Sequence, residues 1–548
     1  MSSMYSEAIA DLAVVGTGVA GLTAALRAAE FGLRVVMVTK AAVEDGNTRW
    51  AQGGVAVVSP GTGDSVEAHV TDTLAAGAGL CDEVATRRIL ADGPAAVRAL
   101  RGRGAIFDSA YDFSGSGFGD LERTREGGHR AFRVIHAGGD ATGAEVERAL
   151  ALAARDGRLP LLERQSVTDV LLDETGRVAG VALLGSSGSG GGAQEECSVL
   201  RARAVLLATG GLGQLYAVSS NPDVATGDGL ALALRAGALA ADLEFVQFHP
   251  TVLHTASGSR GRRPLVTEAV RGEGAVLLDI TGRPVMAGVH PLGDLAPRDV
   301  VAAAITRRMA ATGADHVLLD ATHLGGAGFR LRFPTVHGAC TAAGVDPGRE
   351  PIPVAPAAHY QCGGVVTDVE GRTTVAGLYA AGEVARTGLH GANRLGSNSL
   401  LECLVMGSRA AEAVFADVAV SRPPGPPTSD PSRTGDVRPV ADRDALQRAM
   451  SAHAGIGRDG AGLAAASAVA AASTERTVRT AADAENAGLT LAAAALLAAA
   501  TARTESRGCH LRTDYPHSRP EWRRSITVTL DDTGAPVAAE PALVGGAA

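Results

Sequence analysis

Five segments in the middle and late parts of the chain gather side chains that could do chemistry. They are EFVQFHPT (Glu244 to Thr251), TEAVRGEGA (Thr267 to Ala275), LAPRD (Leu295 to Asp299), AAHYQCGG (Ala357 to Gly364) and HGANRLGSNSLLE (His390 to Glu402). Two histidines, His249 and His359, and two arginines, Arg298 and Arg394, stand out among them. Arginine presents a planar fork that can hold a carboxylate through two parallel hydrogen bonds. Histidine adds a donor or acceptor that changes charge near neutral pH. Such a set suits a small dicarboxylate. Spacing alone does not bring the segments together, and a lone histidine before proline, as at His249-Pro250, is more often structural than catalytic.

Residues this far apart need a scaffold, and residues 10–40 begin one. They read strand, glycine-rich turn, helix, strand: Ala13 to Val15 is apolar, GTGVAG follows, then an Ala/Leu-rich helix, then Arg34 to Val38. Gly16, Gly18 and Gly21 fit the GxGxxG spacing. The first allows a tight turn, the second lets backbone approach a pyrophosphate, and the helix N-terminus then holds that anion. The acidic residue that would grip a nicotinamide cofactor's ribose is missing; Thr39-Lys40 stands there instead. Lys40 is the only lysine among 50 basic residues, and it suits a contact with a phosphate-bearing cofactor. Two later strand ends, Ala208-Thr209-Gly210-Gly211 and GLYAAGEVA at 377–385, favour FAD, with Glu383 placed for a ribityl hydroxyl.

Several classes are excluded by composition. A net charge of −9 argues against nucleic acid or an anionic membrane as the main partner. Six cysteines without a CxxC pair argue against a zinc cage or disulfide scaffold, so no metal is expected and a reducing cytoplasmic compartment is. The Ala-rich stretch 487–502 reads as a packed bundle helix rather than a membrane span. Residues 43–80 read as glycine-rich loops and 139–155 as a helix. Residues 164–207 read as strands around a Gly/Ser tract at 185–193. Changes of texture divide the chain into 1–241 and 360–421 as two parts of one nucleotide-binding domain. Residues 242–359 would be an insertion, 422–440 a linker, 441–523 a helical domain and 524–548 a loosely structured tail.

Taken together, these segments resemble the succinate dehydrogenase/fumarate reductase flavoprotein family and, within it, the branch of L-aspartate oxidases. The likeness runs from about residue 10 to 420 and again over TESRGCHLRTDYPHS at 504–518. It implies an α/β, Rossmann-like FAD-binding domain with an inserted α+β capping domain and a C-terminal helical domain. It also implies FAD contacts at Thr17, Gly18, Val19, Ala20 and Lys40. Further FAD contacts would come from the loop Asn47, Thr48, Arg49, Trp50, Ala51, Gln52, Gly53, Gly54, and from Ser166, Val167, Asp228, Glu383, Ser399 and Leu400. On the substrate side the resemblance implies dicarboxylate binding by His249, Thr267, His359 and Arg394. Arg298 would be the proton donor and acceptor, with Glu268 and Arg271 as its relay.

Two positions divide the family. Asn47 stands where the succinate enzymes often carry a histidine bonded to FAD, so non-covalent FAD is implied. Glu126, in REGGH at 125–129, stands where those enzymes look apolar, and its charge can meet an α-ammonium group. The implied reaction is hydride removal from the α-carbon of L-aspartate, giving iminoaspartate. O2 (giving H2O2) or fumarate would serve as acceptor, and a quinolinate synthase would receive the product. A fumarate reductase or succinate dehydrogenase flavoprotein is the alternative.

Overall fold

A computed structural model describes residues 9–59, 61–109, 121–186, 195–255, 260–428 and 436–539. The four residues Leu12–Val15 are all apolar and buried, which fits the centre of a parallel sheet. That sheet has five strands in the order Leu378–Ala380, Val205–Leu207, Leu12–Val15, Val35–Val38 and Leu161–Leu162, all parallel. Helix Val19–Glu30 follows the first strand and packs on Asn398–Val420 and Thr142–Asp156. Gly16 sits at φ +107°, and a Cβ there would lie 2.2 Å from Ala208 O. A Cβ on Gly21 would lie 2.1 Å from Gly16 O, so alanine at Gly21 would force the helix off the glycine turn and alanine at Gly16 would push away the chain after Val205–Leu207. The opposite face carries the antiparallel meander Gln165–Leu172, Val178–Ser186 and Glu195–Arg201. Most of the Gly/Ser tract lies outside the described residues.

The inserted region forms a separate core around Leu277, Ile305, Leu319, Phe329 and Ile352. Its sheet runs Gly261–Arg262, Val218–Ser219, Ile352–Gln361, Val317–Asp320, Val276–Leu278, with Val246–Leu253 antiparallel to Ile352–Gln361. Strand Ile352–Gln361 therefore crosses the expected boundary at 359, and Val218–Ser219 joins the capping sheet from within the first segment. Both strands carry cap residues back to the FAD-binding lobe without a break in backbone pairing.

Three readings from sequence need correction. Residues 43–80 are not all loop: Val66–Ala76 is a helix, capped by Ser65, which accepts from the Ala68 amide. The flanking glycines masked it. The linker expected over 422–440 ends early, because Val437–Val440 pairs with Thr474–Thr477 and Arg438 ion-pairs with Asp169; residues 429–435 lie outside the described set. The tail expected to be loose from 524 forms a hairpin, Thr527–Leu530 with Pro536–Ala539. Its first strand completes a sheet edge on Ala240–Ala241 and buries Ile526 and Val528. An exposed edge strand with apolar side chains is costly, and the C-terminus covers this one.

The C-terminal domain carries helices Arg443–His453, Gly460–Ala471 and Ala481–Ala502. The last begins with a capping box, Thr480 with Asp483. Among the described residues it is the one helix long and apolar enough to cross a membrane, yet 61% of its apolar window is buried inside the fold. It packs on Asp228–Arg235 as a core helix, as expected for the stretch 487–502.

Candidate functional site

The turn after Leu12–Val15 opens a long cleft. It is lined by Val15 to Ala20, Val38 to Ala42, Asp45 to Thr48, Gln165 to Val167, Ala208 to Gly210, Asp228, Leu232 and Ala381 to Glu383. A second cavity shares Val19, Asn47, Thr48, Glu383 and Cys403 with it and continues to Arg49, Trp50, Ala51, Gln52, His359, Tyr360, Arg394, Ser399 and Leu400. Gly21 and Gly54 line neither; both hold close backbone packing, Gly54 against Ile135 O. Gly53 approaches Glu126 and Ser397.

The cleft fits a dinucleotide. Gly18 offers helix Val19–Glu30 an N-cap without a side chain, and a Cβ there would meet nothing but Thr48 Oγ1, at 3.2 Å, across the cleft. Thr209 Oγ1 and Gln52 Oε1 are buried without a hydrogen-bond partner. Glu383 accepts from the Gln361 amide at 3.0 Å and from Asn47 Nδ2 at 3.3 Å. Burial pushes its carboxyl up to about 7.

Lys40 lines the cleft, but its Nζ is committed elsewhere. It donates to Asp228 at 2.7 Å, to Thr226 Oγ1 at 2.5 Å and to Glu485, on the C-terminal helix, at 2.6 Å. Asp228, expected at FAD, is thus also half of this clamp.

The dicarboxylate set converges. His249 and His359 meet edge to face, ring centroids 5.1 Å apart. Arg394 donates to His359 Nε2 at 2.8 Å and to Ser399 Oγ at 3.0 Å, and its guanidinium lies over the Tyr360 ring. Arginine only donates, so His359 Nε2 accepts and the ring proton is on Nδ1, facing Ser220 Oγ at 2.7 Å. By the same logic His249 Nδ1, which accepts from the Thr251 amide, leaves the proton on Nε2. That Nε2 is buried and unpartnered, a donor kept for a ligand. Burial, then the neighbouring arginines, hold both imidazoles well below their ordinary value, so both are neutral at pH 7. Thr267 caps helix Glu268–Gly272, its Oγ1 accepting from the Ala269 amide.

Arg298 begins helix Arg298–Thr312 and faces the same centre. Its Nε donates to Glu268 Oε2 at 2.7 Å, and Arg271 Nη2 lies 3.5 Å from Glu268 Oε1. The three residues form one buried chain. Burial alone would raise the Glu268 carboxyl, but Arg298 and Arg271 hold it below its usual value. Gly127 leaves room for this: a Cβ there would sit 2.0 Å from Glu268 Oε1. Glu126 is 2% exposed, accepts from Ser397 Oγ at 2.7 Å, and keeps Oε1 unpartnered. A Cβ on Gly396 would lie 2.9 Å from Arg298 Nη2 and 3.0 Å from Glu126 Oε2, so one glycine lets the two side chains approach.

The chain matches the FAD binding domain family over residues 11–400 and the fumarate reductase flavoprotein C-terminal family over 443–541. It is 53% identical over 532 residues to an L-aspartate oxidase of Mycobacterium tuberculosis, covering 96% of each chain. It is 51% identical over 545 residues to one of Streptomyces coelicolor, covering 95% of this chain and 92% of that one. The chain belongs to the L-aspartate oxidase family. The E. coli quinol fumarate reductase FrdA structure superposes with a TM-score of 0.84 at 29% identity, covering 99% of this chain and 98% of that one. The L-aspartate oxidase family thus shares its fold with the fumarate reductase flavoproteins, and FAD is the cofactor of the cleft.

Sequence reasoning missed three residues of the site. Gln247 accepts from Arg298 Nη1 at 3.2 Å and donates to Asn393 and to the Arg394 carbonyl, tying the two arginines together. It lies two residues before His249 on the same strand, hence on the same face. Ser220 orients His359. His136 lies beside Glu126.

Proposed function

We propose that this chain is an FAD-dependent L-aspartate oxidase that yields iminoaspartate, the first step of NAD biosynthesis toward quinolinate. One observation carries the reading. A buried carboxylate, Glu126, faces Arg298, and unlike Glu268, which lies between Arg298 and Arg271, it keeps an oxygen with no arginine or other hydrogen-bond partner. A site for succinate alone gains nothing from that charge; a site for an amino dicarboxylate gains a partner for its ammonium.

The chain's own groups divide the work. Arg394, His249 Nε2, His359 and Thr267 bind and orient the two carboxylates. Glu126 holds the α-ammonium. Arg298 takes the proton, with Glu268 and Arg271 as its path outward. When bound, FAD supplies the two-electron acceptor. Gly18 and the helix start behind it, the loop Asn47 to Gln52, Ser166-Val167, Glu383, Ser399 and Leu400 would hold it. O2 or fumarate would be the final electron acceptor, and a quinolinate synthase would take the product. Six free cysteines support a reducing compartment, the cytoplasm.

Incubation of the purified protein with L-aspartate in air tests the reading through H2O2 release. Steady H2O2 with L-aspartate and none with succinate is expected. Reduction by succinate alone would favour a succinate dehydrogenase-type flavoprotein. Acid precipitation should release all flavin into the supernatant, since Asn47 offers no side-chain nucleophile.

A further inference from the structure

An amino acid's α-ammonium must lose a proton before its nitrogen lone pair can form the C=N bond of an imine. Succinate and fumarate make no such demand. With the α-hydrogen leaving as hydride, both protons that must go are on nitrogen, the ammonium's before C=N forms and the iminium's after it; the Arg298–Glu268–Arg271 chain takes the second and leaves the first without a route.

Glu126 and His136 form one. His136 follows strand Val134–Ile135, and its Nε2 lies 3.9 Å from Glu126 Oε1, a span that one bridging water or a small torsion of the ring covers. Glu126 Oε1 and His136 Nδ1 are both buried and have no hydrogen-bond partner in the protein. Thr124 Oγ1 fixes the ring through Nε2 at 2.8 Å. Gly54 of the flavin loop makes space for the ring: a Cβ there would lie 3.1 Å from His136 Cε1. On its other side His136 lines a surface cleft with Glu122, Arg125 and Arg332, all exposed.

We propose that His136 is a positioning residue that takes the substrate's ammonium proton from Glu126 and passes it to the surface cleft; this rests on the L-aspartate reading above. The balance is simple. The ammonium gives H+ to the Glu126 carboxylate and becomes an amine. Protonated Glu126 gives that proton to neutral His136, and imidazolium His136 releases it to water in the cleft. The amine lone pair then forms C=N as the α-carbon loses its hydrogen with both electrons to the acceptor.

The charges around the ring suit a carrier that is neutral at rest. Burial lowers the His136 pKa. Glu126, Asp108 and Asp140 oppose that and Arg332 adds to it. Asp108 is occupied by the Gly138 and Gly139 amides and Asp140 by those of Thr335 and Val336, so Glu126 is the one carboxylate among these with an oxygen to spare toward the ring.

The test uses the FAD-loaded enzyme and two reactions on each preparation: L-aspartate oxidation, and fumarate reduction by a reduced dye. His136→Gln keeps a side chain that can bond Thr124 but cannot carry a proton. The expected result is a fall of about tenfold or more in the ratio of kcat/KM for L-aspartate to that for fumarate. The acid limb of the L-aspartate pH profile should also move to higher pH, because the amine must then deprotonate in water. Imidazole in the buffer should restore part of the L-aspartate activity of His136→Ala. Equal loss of both reactions, or an unmoved pH profile with full L-aspartate activity, would overturn the proposal. A parent enzyme whose flavin L-aspartate does not reduce would overturn the functional reading itself, whatever the variants do.

Discussion

Replacing Lys40 with methionine separates two roles that one lysine could play. As a cofactor contact alone, Lys40 would matter only when FAD is bound. The structure gives it a second role: its ammonium sits between Asp228 of the FAD-binding lobe and Glu485 of helix Ala481–Ala502. The three side chains are only 18%, 24% and 22% exposed. Burial would lower the lysine pKa, but the two carboxylates hold it above its ordinary value, so it is charged across neutral pH. Lys40→Met leaves the two acids facing each other, with only Arg443 near Glu485, at 3.6 Å. Breaking a fully buried pair costs about 3–5 kcal/mol, and an exposed one about 0–1 kcal/mol. With roughly a fifth of each side chain in water, the loss should be about 2 kcal/mol. The assay is thermal or urea unfolding of apoprotein, parent against Lys40→Met, with Glu485→Gln and the double variant to complete a cycle. A coupling of about 1 kcal/mol or more between positions 40 and 485 is expected. Apoprotein of Lys40→Met that unfolds with the parent, while its FAD affinity falls, would refute the clamp and return Lys40 to a cofactor contact alone.

Arg298→Leu should slow flavin reduction by L-aspartate by about 10²–10⁴-fold with FAD still bound, because general acid–base steps are worth that much; single-turnover absorbance checks it, and a loss under threefold would remove Arg298 from proton transfer. Glu126→Gln keeps the Ser397 hydrogen bond and removes the charge. A charge-assisted bond of about 1.5–3 kcal/mol makes the expected loss of L-aspartate kcat/KM at least about tenfold, with fumarate reduction kept, and parallel loss of both would make Glu126 structural. Glu147 is buried, and burial pushes its pKa from 4.5 to about 8 against the opposing effect of Thr48. The unfolded chain therefore releases that proton first, so its ionisation costs folding stability progressively as pH rises from 4.5 to 8. Glu147→Gln apoprotein should gain stability over the parent at pH 8 relative to pH 5, and equal differences at both pH values would contradict the assignment.

Much of the FAD-binding lobe was legible because its signals are local. A four-residue apolar strand, a glycine turn and an amphipathic helix are set by steric rules acting within a dozen residues, and GTGVAG folds as its glycine spacing demands. The chemical character of the site was legible too, since arginine and histidine carry their hydrogen-bonding capacity wherever they sit. Local signals also misled where they were weak. Glycines around Val66–Ala76 hid a helix held by one serine cap, and the C-terminal strands made sense only beside the edge of Ala240–Ala241.

The amino-acid order by itself determined which groups could bind a dicarboxylate and a dinucleotide, and that Glu126 adds a carboxylate that can meet an ammonium. Which of them meet was decided only by tertiary structure. Glu126 and Arg298 approach through Gly396, Gln247 joins Arg298 to Arg394, and Lys40 finds Glu485 across 445 residues. The physical reason is that such contacts depend on the close packing of three separate cores. A missing side chain at Gly127 or Gly396 is defined by what another segment places against it, and nothing within a few residues of either glycine records that.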